Sequence, residues 1–245
     1  MPRRAAIVTG ASSGIGLALA HLLGQEGHAL TIASRRPEKL EAARAELEAA
    51  GHDVVALAGD LGDEDVIRRV VAAHRDRHGR LDVLVNNAGV GMGQPIEELS
   101  TKRLDVQLAT NLRSLPIFYR ECVELLTEAG AEHGNALVVN TASVAGKQGE
   151  PWLSVYSATK AGVIAFTQAM NAELGARGIK STALCPAFVD TPMTDFIKDR
   201  LPPEAMIQVS DVVESVRFLL RLTPGCVVPE IVFTGPGGRL GVQSA

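Results

Sequence analysis

Short runs of mainly apolar residues recur along the chain at 5–9, 29–33, 54–58, 83–86, 136–140, 181–185 and 227–233. They are continuous rather than alternating, which marks strands covered on both faces, as in a parallel sheet. Between most of them lie longer stretches with apolar residues at helical spacing, such as Leu17, Leu19, Ala20, Leu22 and Leu23. Strand and helix in alternation predict an α/β fold: a Rossmann-like, doubly wound sheet of about seven parallel strands with helices on both faces. No internal repeat, low-complexity tract or linker divides the 245 residues. A single domain over 1–245 is therefore expected, with a small substrate lid at about 187–210.

The first strand-to-helix junction reads Thr9-Gly10-Ala11-Ser12-Ser13-Gly14-Ile15-Gly16. Gly10 permits a tight turn, Gly14 removes a side chain where a diphosphate must approach, and Gly16 lets helix and strand pack closely. The helix N-terminus supplies free N–H groups and about half a positive charge for phosphates. Ser12 or Ser13 could cap this turn. After the second strand comes Ser34-Arg35-Arg36, where a dinucleotide fold meets the adenosine ribose. An acid here would accept from a free 2′-hydroxyl, whereas arginine forks onto a 2′-phosphate. With no acid at these positions, NADP(H) is favoured and NAD(H) is the alternative. A charge-assisted contact of this kind is worth roughly 1.5–3 kcal/mol.

Further along, Asp60 follows the third strand, as an adenine contact or an ordinary helix cap. Asn86-Asn87-Ala88-Gly89 ends the fourth. Gly89-Val90-Gly91-Met92-Gly93 and the later Gly235, Gly237 and Gly238 imitate phosphate loops, but no helix start follows either. The helical pattern from about Thr101 to Leu126 contains Asn111 and Pro116. Proline removes an N–H and crowds the Leu112 carbonyl, so a bend is expected beside Asn111. Then come Thr141-Ala142-Ser143 and Tyr156-Ser157-Ala158-Thr159-Lys160, with Tyr156 and Lys160 one helical turn apart on one face.

Composition narrows the function. Net charge is −4 and aromatic residues make up 4%, so neither a basic nucleic-acid face nor stacking platforms are suggested. No apolar run reaches membrane-spanning length and no signal peptide precedes the first strand, so a cytoplasmic location is expected. Cys122, Cys185 and Cys226 are far apart and read as reduced packing residues; the six histidines show no paired spacing, and no metal site is expected.

In this order and spacing, the Thr9–Gly16 loop, Asn86–Gly89, Asn111, Ser143 and Tyr156–Lys160 resemble the short-chain dehydrogenase/reductase family in its compact single-domain form. The resemblance spans essentially residues 4 to 238. It implies a catalytic tetrad of Asn111, Ser143, Tyr156 and Lys160 acting on a carbonyl or alcohol with a nicotinamide cofactor. Tyr156 would give the proton, Ser143 would donate to the substrate oxygen, and Asn111 would hold a relay water. Lys160 would bond the nicotinamide ribose and, from about 4 Å, lower the Tyr156 pKa by roughly two to three units.

The same likeness puts Gly10, Ser12, Ser13, Gly14, Ile15, Gly16, Ser34, Arg35, Arg36, Asp60, Leu61, Asn87, Ala88, Gly89, Tyr156, Lys160, Pro186, Val189 and Thr191 against the cofactor. Ala187 stands where the family usually has glycine, which puts that loop's backbone geometry in question. Met193, Phe196 and Ile197 in the lid, with Val144, Trp152 and Phe188, suggest a mainly apolar pocket. The resemblance favours a homodimer or homotetramer. A nucleotide-sensing scaffold on the same fold and an extended-branch epimerase are the other readings; the epimerase would need a further C-terminal domain.

Overall fold

The computed structural model describes residues 3–236. The apolar runs form β1 (Ala5–Thr9), β2 (Ala29–Ser34), β3 (Val54–Ala58), β4 (Val83–Asn86), β5 (Ala136–Thr141), β6 (Ile179–Pro186) and β7 (Glu230–Phe233). All pair in parallel in the order β3-β2-β1-β4-β5-β6-β7. The last strand starts at Glu230, not at 227, because Pro229 has no N–H for a ladder. The helices are α1 (Gly14–Gln25), α2 (Pro37–Ala49), α3 (Glu64–His78), α4 (Thr101–Leu108), α5 (Ser114–His133), α6 (Ser154–Leu174) and α7 (Val209–Leu220).

Two apolar layers close the sheet. On one face, Ile67 and Val70 of α3, Phe118 and Leu126 of α5 and Val163 of α6 pack together. On the other, Leu19 and Leu23 of α1, Leu40 and Leu47 of α2 and Val212 and Val216 of α7 do the same. Chain direction across the sheet reverses between β1 and β4, so a crevice opens at their C-terminal ends, where this fold class takes ligands. Local signals stop and start the helices: Asp63 accepts from the Asp65 N–H at 2.9 Å to cap α3, and Gly79 ends it at φ +66°.

The helical pattern over 101–126 breaks beside Asn111, where a bend is expected. α4 and α5 are joined by one wide π turn, Ala109–Arg113, and α5 runs on to His133. Pro116, which cannot donate back to Leu112, accounts for a break at this place. At the opposite end of the sheet, Asp82 is 2% exposed and accepts from the Ala5 N–H, Arg80 and His133. No helix among the described residues is long and apolar enough to cross a membrane.

Candidate active site

The loop after β1 is shaped by two left-handed glycines, Gly10 at φ +65° and Gly14 at φ +56°. A side chain at Gly16 would run into the Gly10 carbonyl and lie 2.6 Å from Asn87 Nδ2, so Gly16 carries close packing as expected. A side chain at Gly14 would meet Thr191 Cγ2 at 3.1 Å, which places Thr191 across the mouth of the loop. Neither serine caps α1. Ser13 occupies the N-cap position in extended backbone without a side-chain bond, and the Ser12 hydroxyl bonds the Ser34 hydroxyl at 2.8 Å. The free N–H groups at the start of α1 and the absence of side chains on the loop fit a diphosphate.

Ser34 is nearly buried, whereas Arg35 and Arg36 beside it are exposed and pair with no acid among the described residues. Two unpaired guanidiniums at the end of β2 fit a 2′-phosphate. Asp60 is not the helix cap, because its carboxylate turns back to the Gly62 N–H at 3.0 Å and Asp63 takes the cap. The Leu61 side chain is buried in the core, which leaves only its backbone for a ligand. Ile15 packs partly buried against the α1 face of the sheet.

Thr9 and Thr141 tie the loop to the catalytic candidates, a role the sequence did not reveal. The Thr9 hydroxyl accepts from the Asn87 and Ala88 N–H groups at 2.9 and 3.0 Å. Asn87 Nδ2 donates to the Thr9 carbonyl at 3.2 Å, and its oxygen accepts from the Thr141 hydroxyl at 3.1 Å. The Thr141 carbonyl accepts from Lys160 Nζ at 2.6 Å. Strand alternation, which turns Thr141 and Ser143 to one side, was the only hint.

Ser143, Tyr156 and Lys160 converge where β5 ends and α6 begins. The Ser143 hydroxyl accepts from the Ala145 N–H at 3.2 Å and donates to the Pro186 carbonyl at 3.3 Å. Burial raises the Tyr156 pKa above its ordinary value, and the facing Ser143 hydroxyl pulls it back. Lys160 is 4% exposed, and desolvation lowers its pKa to about 8. Its Nζ lies 5.6 Å from the Tyr156 ring centroid. The ammonium bonds a carbonyl, not the phenol, and burial is the largest influence on the pKa of both groups. Gly89 borders both Lys160 and Asn111, since a side chain there would sit 3.5 Å from Lys160 Nζ and 3.4 Å from Asn111 Oδ1.

Asn111 is buried in the π turn and grips a loop. Its oxygen accepts from the Val90 N–H at 2.7 Å, while Nδ2 donates to the Val90 carbonyl at 2.8 Å and the Thr159 hydroxyl at 3.3 Å. The amide's bonds to the Val90 backbone clamp that loop onto the π turn. The loop after β6 keeps ordinary backbone at Ala187, whose N–H donates to the Phe233 carbonyl at 3.0 Å; alanine is accommodated. Val189 is buried, and its carbonyl accepts from the Thr194 hydroxyl at 2.6 Å, while Thr191 caps the short turn Pro192–Ile197. Of the expected pocket residues, Val144 and Ile197 are buried, Phe188 is half-buried, and Trp152, Met193 and Phe196 are exposed. Gly237 and Gly238 lie outside the described residues.

A family model described as short chain dehydrogenase matches residues 4–201. The chain belongs to the short-chain dehydrogenase family. It is 38% identical over 236 residues to a Streptomyces coelicolor protein described as a ketoacyl reductase, covering 88% of this chain and 89% of that protein. It is 33% identical over 225 residues to a 3-oxoacyl-(acyl-carrier-protein) reductase of Staphylococcus aureus, covering 88% and 90%. Among solved structures, an actinorhodin polyketide ketoreductase with NADPH superposes at a TM-score of 0.86 and 33% identity, over 96% of this chain and 98% of that one. In this short-chain dehydrogenase, the loop after β1 is joined to the ends of β4 and β5 and to α6 through Thr9, Asn87, Thr141 and Lys160.

Proposed function

We propose that this short-chain dehydrogenase is an NADP(H)-dependent oxidoreductase interconverting a ketone or aldehyde with an alcohol on a mainly apolar substrate. The observation that carries the reading is the meeting of the Ser143 hydroxyl, Tyr156 phenol and Lys160 ammonium beside the glycine loop. The ketoacyl reductases among its relatives and the NADPH complex of its structural neighbour support it. When bound, the cofactor supplies the hydride. Gly10–Gly16 would receive its diphosphate and Arg35 and Arg36 its 2′-phosphate; Val189 and Thr191 would face the carboxamide.

The side chains supply the rest of the chemistry. Ser143 donates a hydrogen bond to the carbonyl oxygen, where negative charge develops as hydride reaches carbon. Tyr156, kept protonated by its raised pKa, passes its proton to that oxygen. Lys160 would hold the cofactor ribose and set a positive charge near the phenolate that forms. Asn111 positions the Val90 backbone. Residues 187–210 act as the lid of a single domain. Replacing Tyr156 by Phe should cut NADPH-linked carbonyl reduction by about 10²- to 10⁴-fold while NADPH still binds; retained turnover would overturn the assignment.

The family likeness and the small-residue outer face of α6, with Ala158, Ala161 and Ala165 exposed, support a homodimer or homotetramer. Light scattering returning a monomer mass would refute that. The absence of a spanning helix among the described residues supports a cytoplasmic location, which cell fractionation tests.

A further inference from the structure

Two buried amides near the catalytic tyrosine each leave one polar atom unpaired. Gln94 is 8% exposed and Gln107 1% exposed, and both line one crevice with Met92, Ile96, Trp152 and Val155. The Gln94 oxygen accepts from the Arg103 guanidinium, which can only donate, so the amide's orientation is fixed and Nε2 is a donor. That Nε2 has no acceptor, and the buried Gln107 Oε1 has no donor. As it stands the crevice is too narrow to hold a water, so neither group is rescued by solvent there. Orphaned buried polar groups are costly, and here an unpaired donor and an unpaired acceptor belong to residues lining one crevice.

The crevice adjoins the reaction centre from both sides of the chain. Val155 precedes Tyr156, and a side chain at Gly91, next to the lining residue Met92, would lie 3.9 Å from the Tyr156 ring. Its outer wall is strained. Trp152 is the one non-glycine residue among those described with left-handed backbone, at φ +63°, and its side chain is 72% exposed. The Gln94 N–H holds the Trp152 carbonyl at 2.8 Å, so a turn of this segment bears directly on the orphaned amide.

We propose that Gln94 and Gln107 form a recognition site for a hydroxyl group carried by the substrate at a distance from its reacting carbonyl, admitted when the Trp152 segment moves outward. A hydroxyl accepts from Gln94 Nε2 and donates to Gln107 Oε1, satisfying both at once. A carbonyl or carboxylate would satisfy the first and oppose the second. The assignment rests on the carbonyl-reducing reading above and specifies its substrate class: hydroxylated ketones or aldehydes.

The test pairs straight-chain methyl ketones of rising length with their terminally hydroxylated counterparts and follows NADPH oxidation. At the length that spans the two sites, the hydroxylated ketone should have a kcat/KM about tenfold or more above its parent. The near-isosteric changes Gln94→Met and Gln107→Met, made singly, should each bring that ratio towards one. A ratio near one at every length, a preference that survives both changes, or equal preference for a keto terminus would overturn the proposal while leaving ketone reduction intact. No reduction of any ketone would sink both readings. A measurement on the unaltered protein stands beside these: Trp152 is the chain's single tryptophan. With NADPH present, where an alcohol cannot react, its emission should respond to terminal diols but not to the matching simple alcohols; equal responses would also overturn the site.

Discussion

Raising the pH should switch off cofactor use through Lys160, at a point the structure sets. The ammonium is removed from water between β5 and α6, and desolvation brings its pKa from 10.5 to about 8. A fall of that size, at about 1.36 kcal/mol per unit, corresponds to about 3 kcal/mol favouring the neutral amine. The charged form is the useful one, because an ammonium bonded to the Thr141 carbonyl keeps two further N–H donors for the cofactor ribose and brings a positive charge to the site. Tyr156 itself is pushed upward, so it stays protonated throughout this window and does not mimic the lysine. In ketone reduction, kcat/KM for NADPH reports the enzyme before the cofactor binds. It should therefore be level below about pH 8 and fall roughly tenfold per unit above it. Lys160→Met should lower the level by about tenfold to a hundredfold, the worth of one charge-assisted bond, and abolish the bend. Initial rates between pH 6 and 10 at saturating ketone decide it. A bend near 8 that persists in the methionine variant, or a flat profile in the unaltered enzyme, would refute the argument.

Two further outcomes follow from other places in the molecule. Replacing both Arg35 and Arg36 by Ala should weaken NADPH binding by about tenfold to a hundredfold and leave NADH within about twofold, since neither guanidinium has an acid to abandon; fluorescence titration of both cofactors measures it. His74 is fully buried, with Nε2 donating to the Arg80 carbonyl at 2.8 Å and Nδ1 accepting from the Thr31 hydroxyl at 2.8 Å, and burial lowers its pKa to about 4. The unfolded chain takes up this proton near 6.5 and the folded one does not. Stability is thus complete above 6.5 and falls by up to about 3 kcal/mol as pH drops to 4. An imidazole of His74 titrating near 6.5 by NMR in the folded protein would contradict this.

The sheet was legible because each strand is a local apolar run and each glycine of the first loop answers a local backbone demand. Tyr156 and Lys160 were legible because one helical turn fixes their common face. Contacts between distant segments were not. Asn111 could be placed at a bend, but its grip on Val90 depends on a loop 21 residues earlier folding back over the π turn. Thr141, Gln94 and Gln107 carry no pattern of their own, and their meaning comes from what burial puts opposite them. Ser12 looked like a cap because it precedes a helix, yet Ser34, brought close by pairing of β1 with β2, takes its hydroxyl.

The Thr9–Asn87 bonds also dictate an assembly schedule. Their partners lie 78 residues apart, so the nucleotide seat is stitched from two sections of polypeptide that meet late. A nascent chain carrying the first strand and helix has every glycine it needs and still lacks the amide that braces the bend. Nucleotide affinity should consequently arrive as a step, when the fourth strand docks, rather than growing with length. An N-terminal fragment ending before Val83 would hold the motif without the capacity.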